Sequence, residues 1–130
     1  MHTERKSYYT EQAPAPIGPY SQAVSFKGLL FVSGQIAIEP ESGKLLTGNI
    51  EEEAHRVMQN LKAVLAAADC TFDHVIKATI YLKNMDDFAV VNRIYDGYMK
   101  HDGHYPARET VQVARLPKDA NLEISVIAGK

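Results

Sequence analysis

From Asn49 to Ala68 the chain carries a run in which Ile50, Ala54, Val57, Met58, Leu61, Val64, Leu65 and Ala68 recur on one helical stripe. A helix that is apolar along one stripe only must bury that stripe against another element, and this requirement organises the rest of the chain. Asn49 is placed to cap the helix, with Glu52 at N3 completing a capping box. Glu51, Glu52 and Glu53 oppose the positive end of the helix dipole. The small residues Ala66, Ala67 and Ala68 permit close approach to a sheet, and His55 falls on the solvated flank.

The flanking runs supply that sheet. Val24 to Phe26 and Leu29 to Ile38 read as strands around a Lys27-Gly28 turn. Ser33-Gly34-Gln35 interrupts the second, as expected of a bulge or of a close backbone approach. Glu39 to Gly48 reads as a loop. Phe72 to Leu82 alternates from Val75 onward, with Ile76, Ala78, Ile80 and Leu82 on one face and Lys77, Thr79 and Tyr81 on the other. A second helix begins near Asp86 and buries Phe88, Val91, Ile94, Tyr95 and Tyr98, with Asn92 at a position that propensity does not favour. It stops in the segment containing Gly103 and Pro106.

Glu109 to Leu116 and Leu122 to Ala128, around Pro117-Lys118-Asp119-Ala120-Asn121, read as two paired strands. The resulting order, β-β-α-β-α-β-β, predicts an α+β fold with two helices on one face of a mixed sheet. The 130 residues form one expected domain, with residues 1–16 an extended, partly flexible lead-in held out of helix by Pro14, Pro16 and Pro19. Two helices cover one sheet face only. The other needs burial, and closed oligomerisation is the physical solution.

Several function classes fall away. A net charge of −2, with no basic patch interleaved with aromatics, argues against nucleic acid as a partner. No apolar run reaches the roughly 18 to 20 residues that span a bilayer, and no apolar segment follows the basic N-terminal residues, so neither a membrane span nor a secretory signal is expected. One cysteine, Cys70, allows no intrachain disulfide and fits a reducing, cytoplasmic setting. There is no G-x-G-x-x-G or Walker loop and no G-x-S-x-G frame around Ser33. His2, His55, His74, His101 and His104 show no metal-ligand spacing. Lys77 reads as an exposed strand lysine.

Arg108 and Glu123 remain. A guanidinium fork matches a carboxylate bidentately, and a glutamate beside a water can orient it or take its proton. Together they suit water attack on a small carboxylate. Strand parity resists this pairing. If Leu116 and Leu122 pair across the turn, Arg108 and Glu123 point to opposite faces, so they meet only through a bulge or at a subunit boundary.

Local marks in a fixed order then bring in a resemblance: Ile17-Gly18-Pro19-Tyr20, Ser33-Gly34-Gln35, Asp87-Phe88 with Asn92, Pro106-Ala107-Arg108, Val113-Ala114-Arg115-Leu116-Pro117 and Glu123-Ile124. From about Ala13 to Ala128 the chain resembles the small reactive-intermediate enamine/imine deaminases. The resemblance implies a homotrimer of chorismate-mutase-like subunits with a cleft at each interface. It implies that Arg108 binds the substrate carboxylate and Glu123 positions the attacking water, with Tyr20, Ser33, Gly34 and Asn92 lining the pocket. It further implies hydrolysis of 2-iminobutanoate, 2-iminopropanoate and their 2-aminoacrylate-type enamines to 2-oxo acids and ammonia, with no cofactor and no metal.

Many members carry a cysteine two residues after the arginine. Here Thr110 holds that position, and thiol-dependent behaviour is lost while hydrolysis by water need not be. Glu109, next to Arg108, is expected by alternation to face away. The competing reading from another class is a non-catalytic protein that binds small carboxylates or metabolites in the same cleft.

Overall fold

The computed structural model describes residues 4–99 and 103–130; His2 and His101 lie outside them. Its strands are β1 (Lys6–Tyr8), β2 (Ala23–Phe26), β3 (Leu29–Gln35), β4 (Val75–Leu82), β5 (Ala107–Gln112) and β6 (Leu122–Gly129), and its helices are α1 (Ile50–Ala67) and α2 (Phe88–Met99). They form one mixed sheet in the order β1-β2-β3-β6-β4-β5.

Both β3 and β4 run antiparallel to β6, so they are parallel to each other, and β4 is parallel to β5. The units β3-α1-β4 and β4-α2-β5 therefore step in the same direction along the sheet. The right-handed crossover rule then sends both helices to one face. This is the α+β architecture that the order of elements predicted and the chorismate-mutase-like arrangement that the resemblance implied.

Three expectations are corrected. First, the terminal strands do not form a hairpin. β5 pairs only with β4, and β6 inserts between β3 and β4. The physical reason lies in the sequence of β6, whose Leu122, Ile124, Val126 and Ala128 are buried while its alternate residues are half-buried, the pattern of a central strand. The chain between them makes a 3₁₀ turn at Pro117–Asp119, with Lys118 and Asp119 at positive φ, which carries it past hairpin geometry.

Second, the lead-in is not merely extended. β1 pairs with β2, and Gln22 holds the segment down, its Nε2 donating to the carbonyls of Thr10 and Pro14 and its Oε1 accepting from Thr10 N. Third, a bulge between Val75 and Lys77 turns Val75 inward and leaves Ile76 exposed, so only Ala78, Ile80 and Leu82 of the expected face are buried.

The helix start is refined too. Asn49 caps α1 by accepting from Glu52 N, but the carboxylate that returns to Asn49 N belongs to Glu53. Glu53 is buried and also accepts from Asn121 Nδ2 at 2.8 Å, tying the start of α1 to the start of β6. Asn60, on the apolar stripe, is buried because its amide donates to the carbonyls of Ile36 and Ile38, closing the end of β3 against α1. His55 is exposed as expected, its Nδ1 2.9 Å from the Tyr98 hydroxyl.

The main core lies between the helices and the sheet. A smaller cluster of Ile36, Ile38, Leu116 and Ala120 packs the chain beyond β3 against the link from β5 to β6. The face away from the helices exposes Phe26, Leu29, Phe31, Ile76 and Val111.

Candidate active site

The interruption in β3 is a bulge. Val32 pairs with Val126 and Gln35 with Ile124, so β3 carries one extra residue at Ser33-Gly34. Ser33 is pinned by its own backbone and side chain, N donating to Gln22 O and Oγ donating to Ser21 O at 2.6 Å. Gly34 then passes directly beneath Glu123. A Cβ at position 34 would lie 2.5 Å from Glu123 Oε2 and 2.7 Å from its Cδ, distances that no side chain tolerates.

Glu123 shares a small cavity of about 50 Å³ with Tyr20, Gly34, Gln35, Ile17 and Pro117. Its carboxylate accepts no hydrogen bond from another described residue. Burial pushes its pKa above the ordinary carboxylate range. Tyr20 stands at the rim, 48% exposed, its hydroxyl accepting a long 3.4 Å bond from Ile17 N.

Arg108 occupies a second locus. It pairs with Ala78, which faces the helices, and its side chain runs onto α2. Nη1 donates to Asn92 Oδ1 at 2.6 Å, and Cζ lies 5.0 Å from the Tyr95 ring and 5.6 Å from the Phe88 ring. Phe88, Asn92 and Tyr95 are one stripe of α2, which explains the mid-helix asparagine: it orients the guanidinium between two aromatic faces. Asn92 uses one Nη and leaves the rest of the fork free. The surrounding cleft is lined by Asn92, Tyr95, Asp96, Tyr105 and Arg108, with Tyr105 donating to Asp96 at 2.6 Å.

Thr110 lies on the helix-facing side of β5 with Arg108, and its hydroxyl is buried without a hydrogen-bond partner among the described residues, as is that of Tyr95. Burial pushes the Tyr95 phenol up in pKa, and nearby Arg108 pulls it down. Glu109 points to the opposite face, where it pairs with Lys77 at 3.2 Å. It therefore does not compete for Arg108, and Lys77 is the partly exposed strand lysine that was expected.

The sequence-derived residues thus fall into two groups. Tyr20, Ser33, Gly34 and Glu123 come together at the bulge, and Asn92, Arg108 and Thr110 come together along β5 and α2. Glu123 pairs with Tyr81, whose side chain faces away from the helices, so Glu123 and Arg108 lie on opposite sides of the sheet. The parity conflict survives the change of register. Gln35 and the aromatic pair Phe88 and Tyr95 were named in the sequence but given no place in the site; the spacing 88, 92, 95 was the available signal for the latter.

Among the described residues no group of three or more His, Cys, Asp or Glu side chains could hold a metal ion, and no helix is long and apolar enough to cross a membrane.

An α+β chain that carries a carboxylate over a glycine bulge and an aromatic-clamped arginine on its edge strand belongs to a recognisable class. The family model described as Endoribonuclease L-PSP matches residues 10–130, so the chain belongs to that family. It is 47% identical over 122 residues to a RutC family protein of Pyrococcus abyssi, with 94% of each chain covered. It is 46% identical over 124 residues to the mouse protein named 2-iminobutanoate/2-iminopropanoate deaminase, covering 95% of this chain and 90% of that one. The crystal structure of Escherichia coli TdcF with bound serine superposes with a TM-score of 0.90 at 39% identity, covering 96% of this chain and 98% of that one.

Proposed function

We propose that the chain hydrolyses short 2-imino acids, 2-iminobutanoate and 2-iminopropanoate together with their enamine tautomers, to 2-oxo acids and ammonia. The observation that carries this reading is Glu123: a half-buried carboxylate without a protein donor, held over Gly34 beside a cavity of water size. The mouse relative's name and the serine bound to TdcF support the substrate class, a small amino-acid-like carboxylate.

In this reading Arg108 grips the substrate carboxylate with the part of its fork that Asn92 leaves free. Glu123 takes a proton from water as the water oxygen bonds to the imine carbon. Glu123 returns that proton to the nitrogen to give the carbinolamine, and the hydroxyl proton then passes to the amino nitrogen as the C–N bond breaks, the carbonyl forms and ammonia leaves. An imine carbon is already electrophilic, so fixing it and one water supplies most of what the step requires. Thr110, two residues from Arg108 and on the same side of β5, shapes that side of the site.

Because the two groups face opposite sides of one sheet, the reading places each site between two copies, the edge strand β5 of one against the bulge of the next, in a closed trimer. The apolar residues on the open face, Phe26, Leu29 and Phe31, fit such burial. It places the protein in the cytoplasm as one compact unit. RNA cleavage, which the family description names, is disfavoured by the net charge of −2.

The test is subunit complementation. Arg108→Ala and Glu123→Gln chains are each expected to be inactive toward imine released by a threonine dehydratase, with semicarbazide scavenging reporting on the imine. Refolded together as random trimers, they are expected to recover about a quarter of the sites. Parent-like inactivity of the mixture would sink the shared site, and full activity of Arg108→Ala alone would sink the deaminase reading. A binding protein that does not catalyse would retain product affinity with no rate gain in any sample.

A further inference from the structure

Glu123 lies on β6, the strand flanked by β3 on one side and β4 on the other. The two flanks differ. On the β3 side the chain offers Gly34, over whose backbone the carboxylate lies. On the β4 side it offers Tyr81, which stands directly opposite Glu123 in a register that is unbroken from Lys77 to Leu82. Residues directly opposed on antiparallel strands have Cβ atoms roughly 4.5–5.5 Å apart on one face. Ala78, Ile80 and Leu82 of β4 are buried, while Lys77, Thr79 and Tyr81 are half-buried on the open face. Glu123 takes the same half-buried place in the alternation of β6. The two side chains therefore leave the sheet together.

Tyr81 is itself held in place. It packs against the cluster of Ile36, Ile38, Leu116 and Ala120. Ile36 and Ile38 also line the Glu123 cavity, so the ring and the carboxylate share a wall. The carboxylate leans the other way, with Oε2 2.5 Å from where a Cβ of residue 34 would stand. A glutamate side chain has several staggered rotamers, and its direction is set by what blocks the alternatives. Here one flank is bare backbone and the other is an aromatic side chain. Burial is the whole cause of the raised Glu123 pKa, with no charged group contributing. The titratable groups that face it are Tyr81 from β4 and Tyr20 from the lead-in, and β3 supplies none. In the adjoining turn Asp119 is engaged by Lys83 and Arg115, and Lys118 is exposed.

We infer that Tyr81 is a positioning residue for Glu123, its ring closing the β4 side so that the carboxylate stays over Gly34 and is screened from water. The ring does this and the hydroxyl is not needed. The inference rests on the hydrolytic reading above and adds to it the group that keeps the base in place.

Tyr81→Val removes the ring and leaves a β-branched residue suited to a strand; Tyr81→Phe keeps the ring. The probe is the carboxyl carbon resonance of Glu123, identified by its loss in Glu123→Gln and titrated by NMR beside the pH profile of kcat. In Tyr81→Val the midpoint is expected to fall toward the ordinary glutamate value of about 4.3, with the acid limb of kcat moving down in step. At pH 7 kcat is expected to fall about tenfold or more through misplacement of the base, while KM stays within twofold. Tyr81→Phe is expected to keep the wild-type midpoint, acid limb and kcat. A role in packing alone predicts a lower Tm in Tyr81→Val with midpoint and acid limb unmoved, and that result overturns the inference. Loss of the wild-type profile in Tyr81→Phe overturns it too. Should Tyr81→Val not fold, Tyr81→Leu, which keeps apolar bulk without the flat ring, is read by the same titration and decides. A wild type that gives no acceleration over spontaneous hydrolysis ends the hydrolytic reading and the inference with it, whereas an unmoved midpoint beside an active wild type ends the inference alone.

Discussion

The Glu123 carboxylate rests on the bare backbone of Gly34: a Cβ there would lie 2.5 Å from Oε2 and 2.9 Å from Cγ. The glycine is required by this approach and not by its own backbone angles, since it is absent from the residues at positive φ. Gly34→Ala must therefore push the Glu123 side chain aside or distort the bulge, at a cost of about 1–3 kcal/mol of stability typical of overpacking. Deamination is expected to fall at least as far as in Glu123→Gln, and differential scanning calorimetry alongside the coupled assay checks both effects.

For Arg108 the geometry separates charge from shape. Asn92 and the faces of Phe88 and Tyr95 hold a planar group in one orientation. Arg108→Lys keeps a cation but neither the fork nor the stacking plane. Both Arg108→Ala and Arg108→Lys are expected to weaken binding of the 2-oxo acid product by about 2–4 kcal/mol, from loss of charge-assisted bonds, with lysine recovering less than half. Titration calorimetry with 2-oxobutanoate measures this, and lysine at wild-type affinity would show that bidentate recognition is not used.

Burial raises the pKa of Glu123 in the folded chain above its unfolded value. A raised carboxylate pKa means that ionisation opposes folding. The penalty is absent below the unfolded pKa, grows as pH rises through the folded pKa and is complete above it. Glu123→Gln is expected to have a higher Tm than wild type at pH 7, with the difference shrinking toward zero as pH falls below about 4. Thermal melts across that range test it, and a Tm difference independent of pH contradicts it. Activity runs the other way, since the base must be ionised, so stability and rate oppose each other at this residue.

Phe31 projects from the open face and is 45% exposed in the single chain. Phe31→Asp puts a charge where the proposed assembly buries apolar surface. It is expected to leave the far-UV spectrum intact, shift the species in solution to lower mass by light scattering, and abolish deamination though Arg108 and Glu123 are untouched. Full activity of a monomeric variant would show that one chain suffices.

How far the sequence was legible follows from the range of each signal. Helix stripes and strand alternation are local, and they gave both helices, the sheet and its open face. Strand order is not local. The reading paired β5 with β6 because they are adjacent in sequence, whereas the uninterrupted burial of Leu122, Ile124, Val126 and Ala128 marked β6 as central. β1 was missed because Lys6-Ser7-Tyr8 has no apolar face of its own and is fixed by its pairing with β2. Arg108 and Glu123 were legible as chemical types, and their separation across the sheet was legible as parity. The register of Gln35 was not, because it depends on a bulge that sets it opposite Ile124 and that alternation alone does not fix.

The two unpartnered hydroxyls distinguish structural from ligand-directed groups. Tyr95 OH and Thr110 Oγ1 are both buried without a hydrogen bond among the described residues, so removing either loses no bond to them and relieves desolvation. Tyr95→Phe keeps the ring that faces Arg108 and is expected to leave both activity and Tm unchanged or slightly raised. Tyr95→Leu loses that face, costing about 0.5–2 kcal/mol of cation–π attraction, and is expected to raise KM more than it lowers kcat. Thr110→Val preserves shape, so its Tm is expected to hold, and a rise in KM of threefold or more would locate the missing partner of the hydroxyl on the substrate. An unchanged KM assigns Thr110 to packing along β5 and removes it from the site.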